Sequence, residues 1–232
     1  MTVEPGRRLA SGRDGDIFEY GPGLVLRRTR NGRVIEREAR TMAYAREHGY
    51  PVPEIHDVRA GGTEIVMERI DGPMMMDAMQ RKPWMVGHYA RALADLHDRL
   101  HVIPAPGWLP DFDGGDRLVH LDLHPMNVML ASAGPIVIDW TNAARGFALT
   151  DVAVTIVLLT CPQMPGSRLL NRAVMPARAF LARSFGARYK GPALDERIAW
   201  SAPVKALDPN MTAMEVAACL RLAARARAHI EG

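Results

Sequence analysis

Short apolar runs separated by turn residues open the chain, and a helical period replaces them later. Asp16 to Tyr20 and Leu24 to Arg28 flank Gly21-Pro22-Gly23, which predicts a β-hairpin. Ile55 to Val58 and Glu64 to Arg69, broken by Gly61-Gly62, predict two further strands. Between the pairs, Val34 to His48 carries Ala39, Met42, Ala43 and Ala45 on one side and charges on the other, with Gly49 placed as a C-terminal cap. One helix crossing a small sheet follows. After Asp71-Gly72-Pro73, helical spacing runs through Pro83 to Leu100, Leu149 to Leu159, Pro176 to Phe185 and Met211 to Ile230. Met74, Met75, Met76 and Met79 are read as the start of a helix, and Val128 to Leu130 with Pro135 to Ile138 as a second small hairpin around Ala131-Ser132-Ala133-Gly134. The pattern predicts an α+β chain with a boundary near residues 69 to 73. Residues 1–70 form a small antiparallel sheet with one helix, and 71–232 a mainly helical part.

Composition narrows the class without naming the chemistry. At 232 residues, 48% hydrophobic and 24% charged, the chain can bury a genuine core and does not fit a disordered or fibrous protein. Cys161 and Cys219 are too few for a disulfide framework and lack metal-ligand spacing, which suits a reducing cytoplasm. The N-terminus has no apolar central stretch, and the longest apolar run, Val152 to Cys161, is too short to span a bilayer, so no membrane partner is expected. A net charge of +3 arises from arginines interleaved with acids. The densest basic stretch, Arg27, Arg28, Arg30 and Arg33, lies on a strand and turn with no stacking motif beside it. No nucleic-acid partner is expected; a basic nucleic-acid-binding protein stays as a rival whose mark would be strongly salt-dependent binding. Oligomeric state has no signature in the sequence.

The candidate chemistry lies in His120-Leu121-Asp122-Leu123-His124-Pro125-Met126-Asn127, then the second hairpin, then Ile136-Val137-Ile138-Asp139-Trp140. An aspartate five residues before an asparagine, with a second aspartate beyond a hairpin, resembles the catalytic loop and metal-binding aspartate of kinases. The HxDLHPxN form followed by IDW resembles the aminoglycoside phosphotransferase and choline kinase branch of the protein-kinase-like superfamily. The resemblance runs from Ser11 to about Leu159 and is most specific between His120 and Asp151. It implies a two-lobed protein-kinase-like fold, with 1–70 the nucleotide-binding lobe and 71–232 the lobe of the catalytic loop and acceptor site. It further implies ATP and Mg2+ as cofactors, Asp122 as catalytic base, Asn127 and Asp139 as metal ligands, and a small-molecule hydroxyl as acceptor. Asn and Asp are hard oxygen donors suited to magnesium. His124-Pro125 would stiffen the loop, because proline fixes its own φ and restricts the residue before it.

The resemblance also assigns nucleotide-binding positions. Ser11, Gly12 and Gly15, in Ser11-Gly12-Arg13-Asp14-Gly15-Asp16, resemble a shortened glycine-rich loop, with an ordinary two-glycine turn as the alternative. Strand alternation puts Val25 and Arg27 on one face, so Val25 is placed against the adenine and Arg27 against the phosphates. An arginine here departs from the usual lysine: either it serves in a modified geometry or nucleotide binding is weakened. Glu38 is the expected ion-pair partner of Arg27, with Glu36 as a rival, and Glu68 and Ile70 fall in a stretch resembling the adenine-binding hinge. Asp151 is read as structural support for the catalytic loop, and His97 as a packed helix residue.

A polycationic acceptor needs a carboxylate-lined pocket, to which Asp111, Asp113, Asp116 and Glu215 are candidates; a solvated Pro/Gly-rich loop explains the first three equally well. The acceptor is accordingly left as an aminoglycoside or another hydroxylated metabolite. A nucleotide-binding pseudokinase acting as an interaction module is the alternative, motivated by Arg27 and opposed by the retention of Asp122, Asn127 and Asp139.

Overall fold

The structure, a computed structural model, describes residues 4–12, 15–161, 168–209 and 211–231. It divides into two compact units, Met1–Met74 with Asn127–Ala143, and Met75–Met126 with Ala144–Gly232.

In the first unit, strands β1 (Arg8–Ser11), β2 (Gly15–Glu19), β3 (Leu24–Thr29), β4 (Ile55–Arg59) and β5 (Glu64–Glu68) form an antiparallel sheet in the order β1-β2-β3-β5-β4. The Gly21-Pro22-Gly23 turn joins β2 to β3, so Phe18 faces Leu26 and Ile17 faces Arg27. Helix α1 (Glu36–Glu47) buries Ala39, Met42 and Ala45, with Ile35 and Ala39 packed against Ile65 of β5. It ends in the left-handed residue Gly49 (φ 76°), whose N–H reaches the Arg46 carbonyl while the Tyr50 N–H reaches that of Ala45. That double closure satisfies carbonyls the last turn would leave open.

Residues 127–143 join this unit although they follow the boundary expected near 69 to 73. Strands β7 (Val128–Ala131) and β8 (Gly134–Val137) make the second hairpin, and its edges are tied down by backbone bonds: Leu130 N–H to Pro73 O and Val137 N–H to Pro51 O, 2.9 and 2.8 Å. Trp140, fully buried, sets its ring edge-on to Tyr50 at 5.6 Å and donates Nε1–H to the Val137 carbonyl. Two segments far apart in sequence are thereby held as one body.

The second unit is helical, with α2 (Met75–Arg81), α3 (Val86–His101), α4 (Ala148–Thr160), α5 (Arg168–Gly186), α6 (Pro192–Lys205) and α7 (Ala213–Glu231), plus a short ladder of β6 (Arg117–Val119) against β9 (Ala144–Gly146). Helix α4 is buried nearly all round, from Thr150 to Val157, which makes it the central helix of the unit. Its far end, Val157 and Cys161, packs on Ala202 of α6 and on Cys219 and Ala223 of α7. Helix α5 reaches further back than Pro176, which lies inside it. Among the described residues no helix is long and apolar enough to cross a membrane.

The segment from His120 to Met126 leaves β6 and is held from below by α3 and α4. Asp151, fully buried, accepts the N–H groups of His120 (3.1 Å) and Leu121 (2.7 Å) and faces His101 Nε2 at 3.0 Å. Burial opposes its charge, but the hydrogen bond and attraction of His101 outweigh it, holding this carboxyl well below the usual range. Thr155, one turn along α4, donates to the Leu123 carbonyl at 2.9 Å and lies 2.9 Å from His97 Nε2. His97 Nδ1 meets the Leu93 carbonyl at 2.9 Å. Burial lowers the His97 pKa to about 4 against the pull of Asp151, so the ring is neutral at pH 7.

Two outcomes follow. Gly72, at φ 155°, has no room for a side chain, since a Cβ there would lie 2.1 Å from the Leu130 carbonyl oxygen. Gly72→Ala is expected to cost about 2 kcal/mol, a drop of roughly 4–8 °C in a thermal melt. In addition, because the folded-state pKa of His97 lies below its unfolded value of 6.5, the unfolded chain binds the extra proton. Stability is therefore complete above pH 6.5 and falls towards pH 4. The loss from this residue reaches about 3 kcal/mol, and His97→Gln should flatten that part of a denaturation-versus-pH curve.

Candidate active site

Arg27 on β3 is the centre of the polar cluster in the first unit. Its side chain is 15% exposed, and Nη1 donates to Oε1 of Glu38, whose own side chain is 4% exposed. Nη2 points the other way, to Thr141 Oγ1 at 3.4 Å and, at 3.9 Å, to Asp139 Oδ1. Thr141 in turn donates to Glu38 Oε2 at 3.0 Å. Glu38 is the member of its helix that turns inward; Glu36 is exposed. Burial pushes the Glu38 carboxyl up, Arg27 pulls it down, and the neighbouring Asp139 charge adds to the rise.

The β7–β8 register brings Asn127 and Asp139 to one end of the hairpin. Val128 pairs with Val137, and the Ile138 N–H bonds the Asn127 carbonyl at 3.0 Å, so Asn127 stands across from Ile138 and beside Asp139 at the open end of the hairpin. Asn127 is buried, whereas Asp139 keeps 45% of its side chain exposed. Asp139 is left-handed, at φ 62°, and the turn it makes returns Thr141 towards Glu38. An amide oxygen and a carboxylate are donors that suit a hard, oxygen-seeking divalent cation.

Asp122 belongs to the second unit, and the chain passes to the first between Met126 and Asn127. The residue before it, Leu121, is also left-handed, at φ 60°, held there by the bond from its N–H to Asp151. Non-glycine residues in this region carry strain of about 1 kcal/mol or more, which the surroundings must hold. His124 Nδ1 accepts the Met126 N–H at 3.3 Å, so its proton sits on Nε2, 3.7 Å from Asp122 Oδ1.

Other positions singled out in the sequence have structural contacts of their own. The Gly12 N–H bonds the Gly15 carbonyl at 2.9 Å and Ser11 Oγ accepts from Arg30, closing a turn whose Arg13 and Asp14 lie outside the described residues. Gly15 opens β2 opposite Thr29, where a Cβ would lie 2.4 Å from the Arg28 carbonyl. Val25 is buried between β2 and β5, opposite Glu19 and Met67. Glu68 donates its N–H to the Glu54 carbonyl and accepts the Glu54 N–H at its Oε2, while Ile70 lies just past β5 and is partly exposed.

The acidic candidates for an acceptor pocket are likewise taken. Asp111 pairs with Arg145 at 2.7 Å, Asp116 with Arg117 at 3.2 Å, and Asp113, almost fully buried, binds the Phe147 N–H and Thr150 with Arg197 at 3.6 Å. Glu215 caps α7, accepting the Thr212 N–H at 2.7 Å. Sequence reasoning missed Thr141, Thr155 and Arg197. Only Thr141 had an available signal, its place two residues after Asp139.

Two overlapping stretches of the chain, residues 6–116 and 103–200, match the model of the phosphotransferase enzyme family. No curated relative matches in sequence. Among solved structures, a choline/ethanolamine kinase family protein from Mesorhizobium loti is 16% identical at a TM-score of 0.56, covering 100% of this chain and 89% of that one. A thermostable mutant of the aminoglycoside phosphotransferase APH(4)-Ia, solved with AMP-PNP and hygromycin B, is 16% identical at 0.61, covering 99% and 93%. Choline kinase from Cryptosporidium parvum Iowa II is 12% identical at 0.58, covering 99% and 88%. At these identities the structural likeness establishes the protein-kinase-like fold, a small antiparallel sheet with one helix plus a mainly helical part. With most of its length covered by the family model, the chain belongs to the phosphotransferase enzyme family.

Proposed function

We propose that this protein transfers the γ-phosphoryl group of ATP to a hydroxyl of a small molecule. The observation that carries the reading is the grouping of Arg27, Glu38, Asn127 and Asp139 in one compact unit, with the Arg27 guanidinium 3.9 Å from Asp139 and paired to Glu38. Phosphoryl transfer asks mainly for positioning and for neutralisation of charge on the transferring oxygens. A positive fork beside a pair of oxygen ligands supplies the elements of both.

In this reading Arg27 binds the phosphates and Glu38 holds Arg27 in place. Magnesium bound by Asn127 and Asp139 would neutralise charge on the β- and γ-phosphate oxygens. Asp122 accepts the acceptor hydroxyl proton, with His124 Nε2 3.7 Å from its Oδ1. Val25 and the stretch from Glu68 to Ile70 take the adenine side, and Ser11, Gly12 and Gly15 the phosphate side. The AMP-PNP in the APH(4)-Ia structure supports ATP as donor.

For the acceptor, the pairing of Asp111, Asp113 and Asp116 with arginines, and the capping role of Glu215, favour a hydroxylated metabolite over a polycationic aminoglycoside. A regulatory pseudokinase is disfavoured by the complete set of Asp122, Asn127 and Asp139.

Magnesium-dependent ATP turnover against aminoglycosides, macrolides, choline-like alcohols and sugars tests the proposal. One acceptor should be phosphorylated, and Asp122→Asn should lower kcat by about 10²–10⁴-fold. Asp139→Ala should abolish the response to magnesium. No turnover with any acceptor, together with no binding of MgATP, would overturn the reading. Phosphorylation of an aminoglycoside in preference to neutral acceptors would reverse the choice of acceptor class.

A further inference from the structure

The arginine at position 27 is held in a way that a lysine could not be. Its Nη1 donates to Glu38 Oε1, its Nη2 lies 3.4 Å from Thr141 Oγ1, and Thr141 returns its proton to Glu38 Oε2 at 3.0 Å. These contacts close a ring of three side chains. The hydrogen-bond count is complete, because Thr141 has one proton, which Glu38 takes, and a lone pair remains to face Arg27. Asp139 Oδ1, at 3.9 Å from Nη2, is beyond hydrogen-bond length and acts through charge alone.

A single contact to Glu38 would leave the guanidinium free to rotate about that bond. The second contact, on the other terminal nitrogen, fixes its plane, and with it the direction of the donors not used inside the ring. A lysine ammonium is one nitrogen on a flexible stem and has no plane to fix. The turn at Asp139 is what delivers Thr141 to this place, so the segment that carries the candidate metal ligand also carries the restraint on the candidate phosphate ligand.

We infer that Thr141 is a positioning residue for nucleotide binding, acting through Arg27: its hydroxyl orients the guanidinium, and the Arg27–Thr141 combination stands in for a phosphate-binding lysine. The inference rests on the reading that Arg27 faces the nucleotide phosphates. If it is right, the effect of Thr141 depends on a guanidinium being present. It is also felt by nucleotide without metal, because Thr141 acts on Arg27 and not on the oxygen ligands.

The experiment is calorimetric titration of the full chain with ADP in EDTA, alongside KM and kcat for ATP with magnesium, for wild type, Thr141→Ser, Thr141→Val, Arg27→Lys and the Arg27→Lys/Thr141→Val double variant. Thermal melts check folding, with Thr141→Ala replacing the valine variant should the latter fail to fold. Thr141→Val is expected to weaken metal-free ADP by about 10-fold or more, the effect of a hydrogen bond to a charged group, and to raise KM for ATP more than it lowers kcat. Thr141→Ser should bind like wild type, and the double variant no more weakly than Arg27→Lys. Wild-type affinity in Thr141→Val, equal losses in the serine and valine variants, or independent losses in the double variant would overturn the role of the hydroxyl while leaving the kinase reading intact. Unchanged ADP affinity in a further variant without the charge, Arg27→Gln, would instead overturn the placement of Arg27 on the phosphates, and the inference with it.

Discussion

A carboxylate taken out of water costs several kcal/mol unless donors replace the water it loses. Glu38 in one unit and Asp151 in the other are buried carboxylates, and the local architecture is arranged to supply those donors. Glu38 has the Arg27 guanidinium on one oxygen and the Thr141 hydroxyl on the other. Asp151 has two backbone N–H groups and the His101 ring. The donors to Glu38 come from β3 and from the segment after β8, and those to Asp151 from α3 and the loop after β6. Satisfying each carboxylate therefore draws together segments far apart in sequence, and the segments so drawn are those that bear Arg27, Asp139 and Asp122.

Charge and strain both concentrate at these points. In the first unit one positive side chain, Arg27, stands between two negative ones, Glu38 and Asp139, so the cluster keeps an excess negative charge on the residue that is most exposed. That residue, Asp139, is left-handed, as is Leu121 immediately before Asp122; among the described non-glycine residues only Ala60 shares the conformation. A leucine would not rest there by preference. Asp151 fixes the Leu121 N–H, and Trp140, buried against Tyr50, anchors the turn at Asp139.

Much of the fold was legible along the chain. The Gly21-Pro22-Gly23 hairpin, the amphipathic helix closed by Gly49, and the hairpin between Asn127 and Asp139 follow from local turn chemistry and period, which act over a few residues. Helix α6 was not legible, because Leu194, Ile198, Ala199 and Ala202 are buried among polar neighbours without a clean apolar stripe, and Pro203 lies inside it. Strands β6 and β9 are three residues each, too short to show an alternation. The engagement of Asp111 and Asp113 was not legible in sequence, since their arginine partners Arg145 and Arg197 lie well downstream.

The sequence by itself determined the order and spacing of Asp122, Asn127 and Asp139, and with them the family, because a catalytic loop is a local object whose residue types and intervals are written consecutively. Tertiary structure alone decided which glutamate of α1 meets Arg27, that residues 127–143 pack with the N-terminal sheet, and that Thr141 completes the arginine's restraint. Each of these depends on which side chains are left without water when distant segments pack, and that is settled by burial and by the count of donors and acceptors at the contact, not by position along the chain.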